Sequence, residues 1–262
     1  MTQRYRFTRY AYPLFVGCIY FFLYVPILLL IIFSFNSDSF ASSWTGFTFR
    51  WYALLWEDTE VWDALKNSLI VASSTVVLSV SMGTLLVFYA QPRHLRRGMG
   101  FFYASLAVPE IVLAVGLLSF FYFFSIYLGL PTLIAAHTLI GLGYVVPILY
   151  TRYIEIDKRI IEASYDLGAT REQTFIRIVL PLLSPAIITG ALLVFIVSFD
   201  DFLLSFFCSG TAVQTLPIYI FALIRAGTSP MVNALSALLL SVSSLFIALF
   251  FFLRNKKTDI VS

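Results

Sequence analysis

Charged side chains are scarce in this sequence of 262 residues. Asp, Glu, Lys and Arg make up 12% of it, whereas 60% is hydrophobic and 18% is aromatic. A soluble domain of this length cannot hide so much apolar surface, so the composition excludes that class and indicates a membrane protein. Cysteine is also rare, and Cys18 and Cys208 lie in or beside apolar runs. We therefore expect no disulfide framework.

The sequence also lacks the common catalytic motifs. No G-x-x-x-x-G-K-[ST] loop is present, so the chain cannot itself be an ATPase. No metal-ligand cluster and no Ser/His/Asp or Cys/His set converges by spacing, so we expect no metal, cofactor or catalytic residue. A membrane prenyltransferase would need a further acid three residues after Asp201, where Leu204 stands. Of the two histidines, His94 fits a solvated loop, and His137 fits an interhelical hydrogen bond better than a substrate contact.

Six long apolar runs are present. A run of about 20 residues is needed to cross the hydrocarbon core. The candidate spans are residues 13–35, 69–89, 99–127, 132–150, 185–207 and 232–253. The third is long enough to tilt or to carry a break. The first has too long an apolar core, and no cleavage site, for a signal peptide. The sequence thus predicts an all-α membrane protein with six transmembrane helices in a single domain, residues 1–262.

Basic residues predict the orientation of these spans. Of the 17 Lys and Arg, 14 fall on one side of the membrane, and only Arg50, Lys66 and Arg225 fall on the other. Both termini and the loop at residues 155–181 are therefore predicted to be cytoplasmic. The net charge of +3 reflects this topology and does not indicate nucleic-acid binding. The aromatic-rich outer loop, residues 36–66, predicts a short interfacial helix or simply an aromatic belt.

The cytoplasmic loop at residues 155–181 is unusually polar for this chain. Apolar residues at helical spacing predict a short amphipathic helix that ends before Gly168, which suits a left-handed C-terminal cap. Thr170 and Gln173 form a capping-box pattern for a second helix, which we expect to end near Pro181. The loop is thus two short helices joined at a glycine elbow. Chemistry alone leaves two readings open: docking into a groove of another protein, or lying on the membrane surface.

The same loop resembles the EAA loop of ABC importer permeases. Glu162-Ala163-Ser164 is followed after three residues by Gly168 and after nine more by Ile178-x-Leu180-Pro181, with serine in place of the usual alanine. The resemblance implies a fold like that of type I ABC importer permeases, and a loop that docks into a cytoplasmic ATPase. The residues it assigns to ATPase coupling are Glu162, Ala163, Ser164, Asp166, Gly168, Ile178, Leu180 and Pro181.

Longer segments resemble the permeases of spermidine/putrescine importers. They read SFNSDSFASSWTGFTFRWYALL, VPEIVLAVGLL, SFDDFLLSFFCSG and TSPMVNALSALLL. This resemblance implies polyamine import with a second permease as heterodimer partner, a homodimeric ATPase that binds ATP and Mg, and an extracytoplasmic polyamine-binding protein. Related permeases move ferric iron, thiamine or phosphonates. A proton-coupled secondary transporter is the alternative from another class, although the sequence shows no matching halves.

Acidic residues inside predicted spans are the candidates for a substrate path. An ionised side chain at mid-bilayer costs roughly 2.5–3.5 kcal/mol on insertion scales, so it needs a compensating partner. Glu110 follows Pro109 in the third span, and Asp200 and Asp201 lie in the fifth. Carboxylates that face a cavity suit a cationic polyamine. The alternative is structural: a cap at a helix break, or a pair with Arg225 or a partner subunit.

Overall fold

The regular secondary structure of the described residues is helical, apart from one isolated β-bridge between Asn36 and Phe47. The computed structural model describes the backbone of residues 2–38, 43–90, 92–211, 213–227 and 229–258, and side chains within residues 13–38, 43–90, 94–211, 213–227 and 230–245. The helices are α1 (Thr2–Phe33), α2 (Arg50–Glu57), α3 (Thr59–Tyr89), α4 (Pro92–Ala107), α5 (Glu110–Phe123), α6 (Leu130–Glu155), α7 (Lys158–Asp166), α8 (Arg171–Thr174), the π-helix Phe175–Val179, α9 (Leu180–Asp200), α10 (Leu203–Cys208), α11 (Leu216–Arg225) and α12 (Ser229–Thr258). The all-α prediction is confirmed.

Membrane-spanning helices can be recognised by length and composition among the described residues. Four qualify: Pro13–Phe33 in α1, α3, α6 and the continuous run Arg171–Asp200. The helices His94–Ala107 and Glu110–Phe123 meet at a bend of 103° and make a fifth if they form one broken span. The described apolar part of α12, Pro230–Leu245, is shorter. Four to five of the six predicted spans are therefore long and apolar enough to cross a membrane.

The third predicted span is broken at Val108 and Pro109. Proline has no backbone N–H and so cannot continue the hydrogen-bond ladder of α4. A new helix, α5, begins at Glu110, and the Pro109 carbonyl accepts the N–H groups of Val112 and Leu113 at 2.9 and 3.3 Å. The third predicted span thus carries a break, which was one of the two possibilities that its length allowed. The break places Glu110 in the first turn of a helix.

The prediction that the second loop helix ends near Pro181 is wrong. Helix α8 continues through the π-helix into α9 and ends at Asp200. In the π-helix the Leu180 N–H donates to the Phe175 carbonyl, five residues earlier, and this wider turn accommodates a proline without breaking the helix. The helix stops instead at Asp201 and Phe202, which separate α9 from α10 inside the predicted fifth span.

The chain forms two units, and residues Glu60–Tyr219 make the larger one. Within it α6 packs against α4 and α9, and α10 packs against α5 and α6. Val145, Val146 and Leu149 of α6 are fully buried in its core. A Cβ at Gly83 would lie 2.9 Å from a Val145 methyl carbon, so glycine lets α3 approach α6 closely. Helix α6 is therefore the central element of this unit.

The other unit contains the described parts of Met1–Thr59 and Ile220–Ser262. Here α12 packs against α1 and α2. The short helix expected in the outer loop is confirmed as α2, and it is anchored by Trp51, whose indole N–H donates to the Asn36 carbonyl at 2.7 Å. Trp51 is buried, whereas Trp56 is 72% exposed, so only part of the aromatic set can lie at a membrane interface.

Candidate functional site

The first candidate region is the coupling segment, residues 155–181. Its first helix, α7, is capped by Asp157, whose Oδ1 accepts the Arg159 N–H at 3.0 Å. The Arg159 guanidinium also pairs with this carboxylate at 2.7 Å and lowers the pKa of the Asp157 carboxyl. The cap therefore stays ionised and acts as an acceptor at the start of α7.

A glycine elbow joins α7 to α8, as the sequence predicts. Gly168 has φ of +83°, a left-handed conformation, and its N–H donates to the Tyr165 carbonyl at 2.9 Å. The Ala169 N–H reaches the Ser164 carbonyl at 3.0 Å, which completes a C-terminal cap of the Schellman type. The chain thereby reverses within three residues.

Two side-chain interactions fix the second helix against the first. Thr170 and Gln173 form the predicted capping box, with hydrogen bonds of 3.2 and 3.0 Å between each side chain and the other residue's N–H. The Ser164 hydroxyl is buried and lies 2.8 Å from the Thr174 hydroxyl across the elbow. Serine in place of the usual alanine therefore adds a polar bridge between α7 and α8.

The outer face of α7 carries an exposed apolar stripe. Ile160 is 46% exposed and Leu167 is 89% exposed, with Ala163 exposed between them. These residues line an open groove together with Ile178. The other assigned coupling residues are Glu162, Asp166 and Pro181, which are exposed, and Leu180, which is half-buried. An exposed apolar stripe flanked by carboxylates is suited to contact with another protein.

Arg171 links the coupling segment to α3, and sequence reasoning missed it. Its Nη2 donates to the carbonyls of Phe88 and Tyr89 at 3.4 and 3.3 Å. Its guanidinium carbon lies 5.5 and 4.7 Å from the centroids of the same two rings. The last carbonyls of a helix lack helical partners, so Arg171 caps α3 with a positive charge. The only local hint was a basic residue directly after a capping threonine.

We expect Arg171→Ala to lower the free energy of unfolding by about 1–2 kcal/mol, because it removes a cation–π stack and charged donors to two carbonyls. The free energy of unfolding of Arg171→Lys should lie between those of the parent and Arg171→Ala, since lysine keeps the charge but not the planar stack. Arg177→Ala is a matched control in an exposed arginine of the same segment. Thermal unfolding of the purified chain in detergent measures all three. Equal losses for Arg171→Ala and Arg177→Ala would contradict the link.

The second candidate region is the polar cluster, formed by Glu110, His137, Ser198 and Asp201. His137 of α6 is buried, and its Nδ1 lies 2.8 Å from the hydroxyl of Ser198 on α9, so the predicted interhelical hydrogen bond is confirmed. Its Nε2 lies 3.5 Å from Asp201 Oδ1. Asp201 Oδ1 accepts the Ser205 N–H at 3.0 Å and therefore caps α10 at the break after α9.

Glu110 completes the polar cluster from a third direction. Its carboxyl is within hydrogen-bonding reach of the Asp201 carboxyl, and both line one small cavity with His137 and Ser198. Two helix breaks thus place two acids side by side, although they lie far apart in the sequence. Asp200 is exposed and does not line this cavity. The sequence indicated both aspartates as candidates for the substrate path, and the structure brings only Asp201 close to Glu110.

The cavity within the polar cluster is narrow. Its volume is ≈ 10 Å³, enough for about one water molecule. A chain of several methylene and ammonium groups does not fit unless the surrounding helices separate. Asp201 is buried and Glu110 is exposed, and a cation can offset the charge of carboxylates that lie within a membrane span. Among the residues that the structure describes, no group of three His, Cys, Asp or Glu side chains could hold a metal ion.

Solved structures share this fold. The chain superposes on a chain of a bacterial ABC transporter involved in the import of the acidic polysaccharide alginate, with a TM-score of 0.70 and 15% identity over 97% of this chain and 98% of that chain. A second structure, an alginate ABC transporter in complex with its pentasaccharide-bound periplasmic protein, gives a TM-score of 0.69 and 18% identity, covering 94% of this chain and 93% of that one. This chain therefore shares its fold with chains of these two transporters.

Sequence relatives define the family. Residues 75–257 match the model of binding-protein-dependent transport system inner membrane components. The spermidine/putrescine permease PotC of Escherichia coli (strain K12) is 38% identical, covering 87% of this chain and 88% of PotC. PotC of Haemophilus influenzae is 36% identical over 90% and 93% of the two chains. The putrescine permease PotI of E. coli K12 is 35% identical over 91% and 89%.

The chain belongs to the family of inner membrane components of binding-protein-dependent transport systems. It is a multi-pass protein of the bacterial inner membrane and a transport subunit, and ATP in such systems is hydrolysed by a partner. The predicted importer permease is thereby confirmed. The roles of the individual residues in the coupling segment and the polar cluster remain predictions.

Proposed function

We propose that the chain is the permease subunit of an ATP-driven importer that moves polyamines into the cytoplasm by alternating access. Support for the substrate class comes from relatives named as spermidine/putrescine and putrescine permeases. It also comes from the two adjacent carboxyl groups of Glu110 and Asp201, which together suit an ammonium group of a polyamine.

One observation carries the mechanism. A single helical run, Arg171–Asp200, begins in the coupling segment and ends beside the polar cluster. At 1.5 Å per residue, its 30 residues reach about 45 Å, enough to cross the membrane. Movement of the coupling segment is therefore delivered along this helix to Ser198 and Asp201, and through Arg171 to α3. ATP-driven closure of a docked motor opens and closes the narrow cavity in this way.

The partners follow from this assignment. We propose a second permease that forms a heterodimer with this chain, a homodimeric cytoplasmic ATPase, and an extracytoplasmic polyamine-binding protein. ATP and Mg bind to the ATPase, and this chain binds neither. The stripe of Ile160, Ala163 and Leu167, flanked by Glu162, is the proposed ATPase contact. The exposure of this stripe supports the role, because an exposed apolar patch bordered by polar residues is typical of a protein contact site.

We further propose six spans with both termini in the cytoplasm, the bent pair α4–α5 being one span. The distribution of the 17 Lys and Arg supports this topology. In a Cys18→Ser, Cys208→Ser background, Ser43→Cys should react with an impermeant thiol reagent in intact cells. Glu172→Cys should react only after the membrane is opened, since both positions are exposed and the proposed topology puts them on opposite sides. Labelling at Glu172→Cys alone in intact cells would overturn the orientation.

Uptake measurements test the substrate assignment. Cells without polyamine importers would express this chain with its partners and receive labelled spermidine or putrescine. We expect ATP-dependent uptake that persists when the proton gradient is dissipated and ATP is maintained. Competition with ferric iron, thiamine and phosphonate tests the other substrates that related permeases carry. Uptake of one of these without polyamine uptake would replace the proposed substrate and keep the family assignment.

A further inference from the structure

A second, much larger cavity lies beside the coupling segment in the unit Glu60–Tyr219. Its volume is ≈ 980 Å³, and it shares no lining residue with the polar cluster. It is enclosed by the end of α3, the start of α4, the end of α6 and α7. Part of the lining is aliphatic, including the exposed Ile154 and the half-buried Ile161, and part is basic.

Three cations of this cavity have no carboxylate partner among the described residues. They are Arg96 and Arg97 of α4 and Lys158 of α7, and all three are exposed. Neighbouring arginines are engaged: Arg152 pairs with Glu155 at 3.0 Å, and Arg159 pairs with Asp157 at 2.7 Å.

The lining as a whole carries a positive charge. Glu162 is its one carboxylate, so three cations against one acid leave a net +2. A cavity with this excess of unpaired donors favours an anion, and guanidinium groups match phosphate oxygens in geometry.

We propose that this cavity binds the headgroup phosphate of an anionic phospholipid from the cytoplasmic leaflet. The proposal rests on the topology proposed above, which puts these helix ends at the cytoplasmic surface. Arg96, Arg97 and Lys158 hold the phosphate, and the aliphatic wall of Ile154 and Ile161 receives the glycerol and the first acyl carbons. Basic pockets between transmembrane helices on this side are suited to anionic headgroups. A soluble phosphate compound would leave the aliphatic wall uncovered.

Lipid in this position would touch α4 and α7 at once. Lys158 is the first residue of α7, and Arg96 and Arg97 lie in the first turns of α4. The bound phosphate would therefore hold the coupling segment against α4 through charges that the protein itself leaves unpaired. ATP hydrolysis by the assembled importer should accordingly be faster in vesicles of phosphatidylcholine plus phosphatidylglycerol than in phosphatidylcholine alone.

Lipid titration of the purified, delipidated importer complex tests the site directly. Phosphatidylglycerol or phosphatidylcholine is added, and native mass spectrometry counts the lipid that stays bound. Each cation near an anionic lipid is worth about fivefold in affinity, so Arg96→Gln/Arg97→Gln/Lys158→Gln should weaken phosphatidylglycerol retention on the order of a hundredfold. Phosphatidylcholine retention should not change. Arg254→Gln/Lys256→Gln/Lys257→Gln removes the same charge elsewhere and should bind like the parent.

Several outcomes would overturn the proposal. Equal retention by the triple variant and the parent, or an equal loss in the control, would show that these cations form no site. Full displacement of phosphatidylglycerol by inorganic phosphate would identify a free anion as the ligand. An Ile154→Cys thiol, at a lining position that is 60% exposed in this chain, would show by staying unreactive in the delipidated complex that a partner protein covers the cavity. None of these measurements needs polyamine transport, so failure of the proposed substrate would leave this test intact.

Discussion

Replacing Gly168 by proline should sharply reduce transport while the chain still inserts into the membrane. Gly168 adopts φ of +83° and donates its N–H to the Tyr165 carbonyl at 2.9 Å. Proline fixes φ near −65° and has no N–H, so both the turn and this hydrogen bond are lost, at a cost of about 3 kcal/mol or more. The strain falls on the elbow that positions α7 against α8. We expect transport to fall at least tenfold, since about 1.4 kcal/mol already corresponds to a factor of ten.

A matched substitution separates backbone conformation from side-chain bulk at the elbow. Asparagine tolerates the left-handed conformation, and a Cβ at Gly168 would meet no atom within 4 Å. Gly168→Asn should therefore transport nearly as well as the parent. Polyamine uptake and co-purification of the ATPase, both normalised to inserted permease, provide the measurement. If Gly168→Pro takes up polyamine and retains the ATPase as well as the parent does, the coupling segment does not dock the ATPase.

The coupling segment was largely predictable because its structure follows local rules. A left-handed glycine after an amphipathic helix and a threonine three residues before a glutamine are both patterns within one turn of chain. The structure realises both, at Gly168 and at Thr170 with Gln173. Pro109 likewise indicated the break before α5, because proline cannot continue the hydrogen-bond ladder of a helix.

The rest of the candidate site depends on contacts that no local pattern encodes. Arg171 reaches the Phe88 carbonyl across 83 positions of sequence, and His137 reaches Ser198 across 61. The π-helix carries the chain past Pro181, where proline alone indicated an end. The break at Asp201 has neither glycine nor proline beside it and is stabilised by the aspartate capping α10. In the sequence, the polar cluster was indicated only by polar side chains that lie within apolar spans.

The two candidate regions are connected through shared helices. The coupling segment continues into α9, which ends at the break that Asp201 caps, while His137 holds α6 to the same end of α9. The cavity of ≈ 10 Å³ within the polar cluster is closed to any polyamine. On the proposed path, passage of substrate requires α9 to move relative to α5 and α6, which breaks contacts of the polar cluster. A cation that replaces the lost contacts of the carboxylates stabilises the open arrangement.

Glu110→Gln should reduce polyamine uptake severely without loss of assembly. The amide keeps the shape and hydrogen bonding of the carboxyl but removes one negative charge from the pair with Asp201. A charge-assisted interaction is worth about 1.5–3 kcal/mol, so we expect uptake to fall by about tenfold to a hundredfold. Asp201→Asn should act in the same way, since its Oδ1 still accepts the Ser205 N–H and the cap of α10 remains. Uptake is normalised to the assembled complex.

Asp200→Asn is the matched control for these two changes, because it removes the same charge one residue away from Asp201, at an exposed position outside the cavity. We expect it to lower uptake less than Asp201→Asn if the path runs between Glu110 and Asp201. A loss at Asp200→Asn that matches a loss of assembled complex would place this acid at an interface with a partner. If instead Glu110→Gln transports as well as the parent, or fails only because the complex dissociates, Glu110 is structural and the polar cluster is not the cation path.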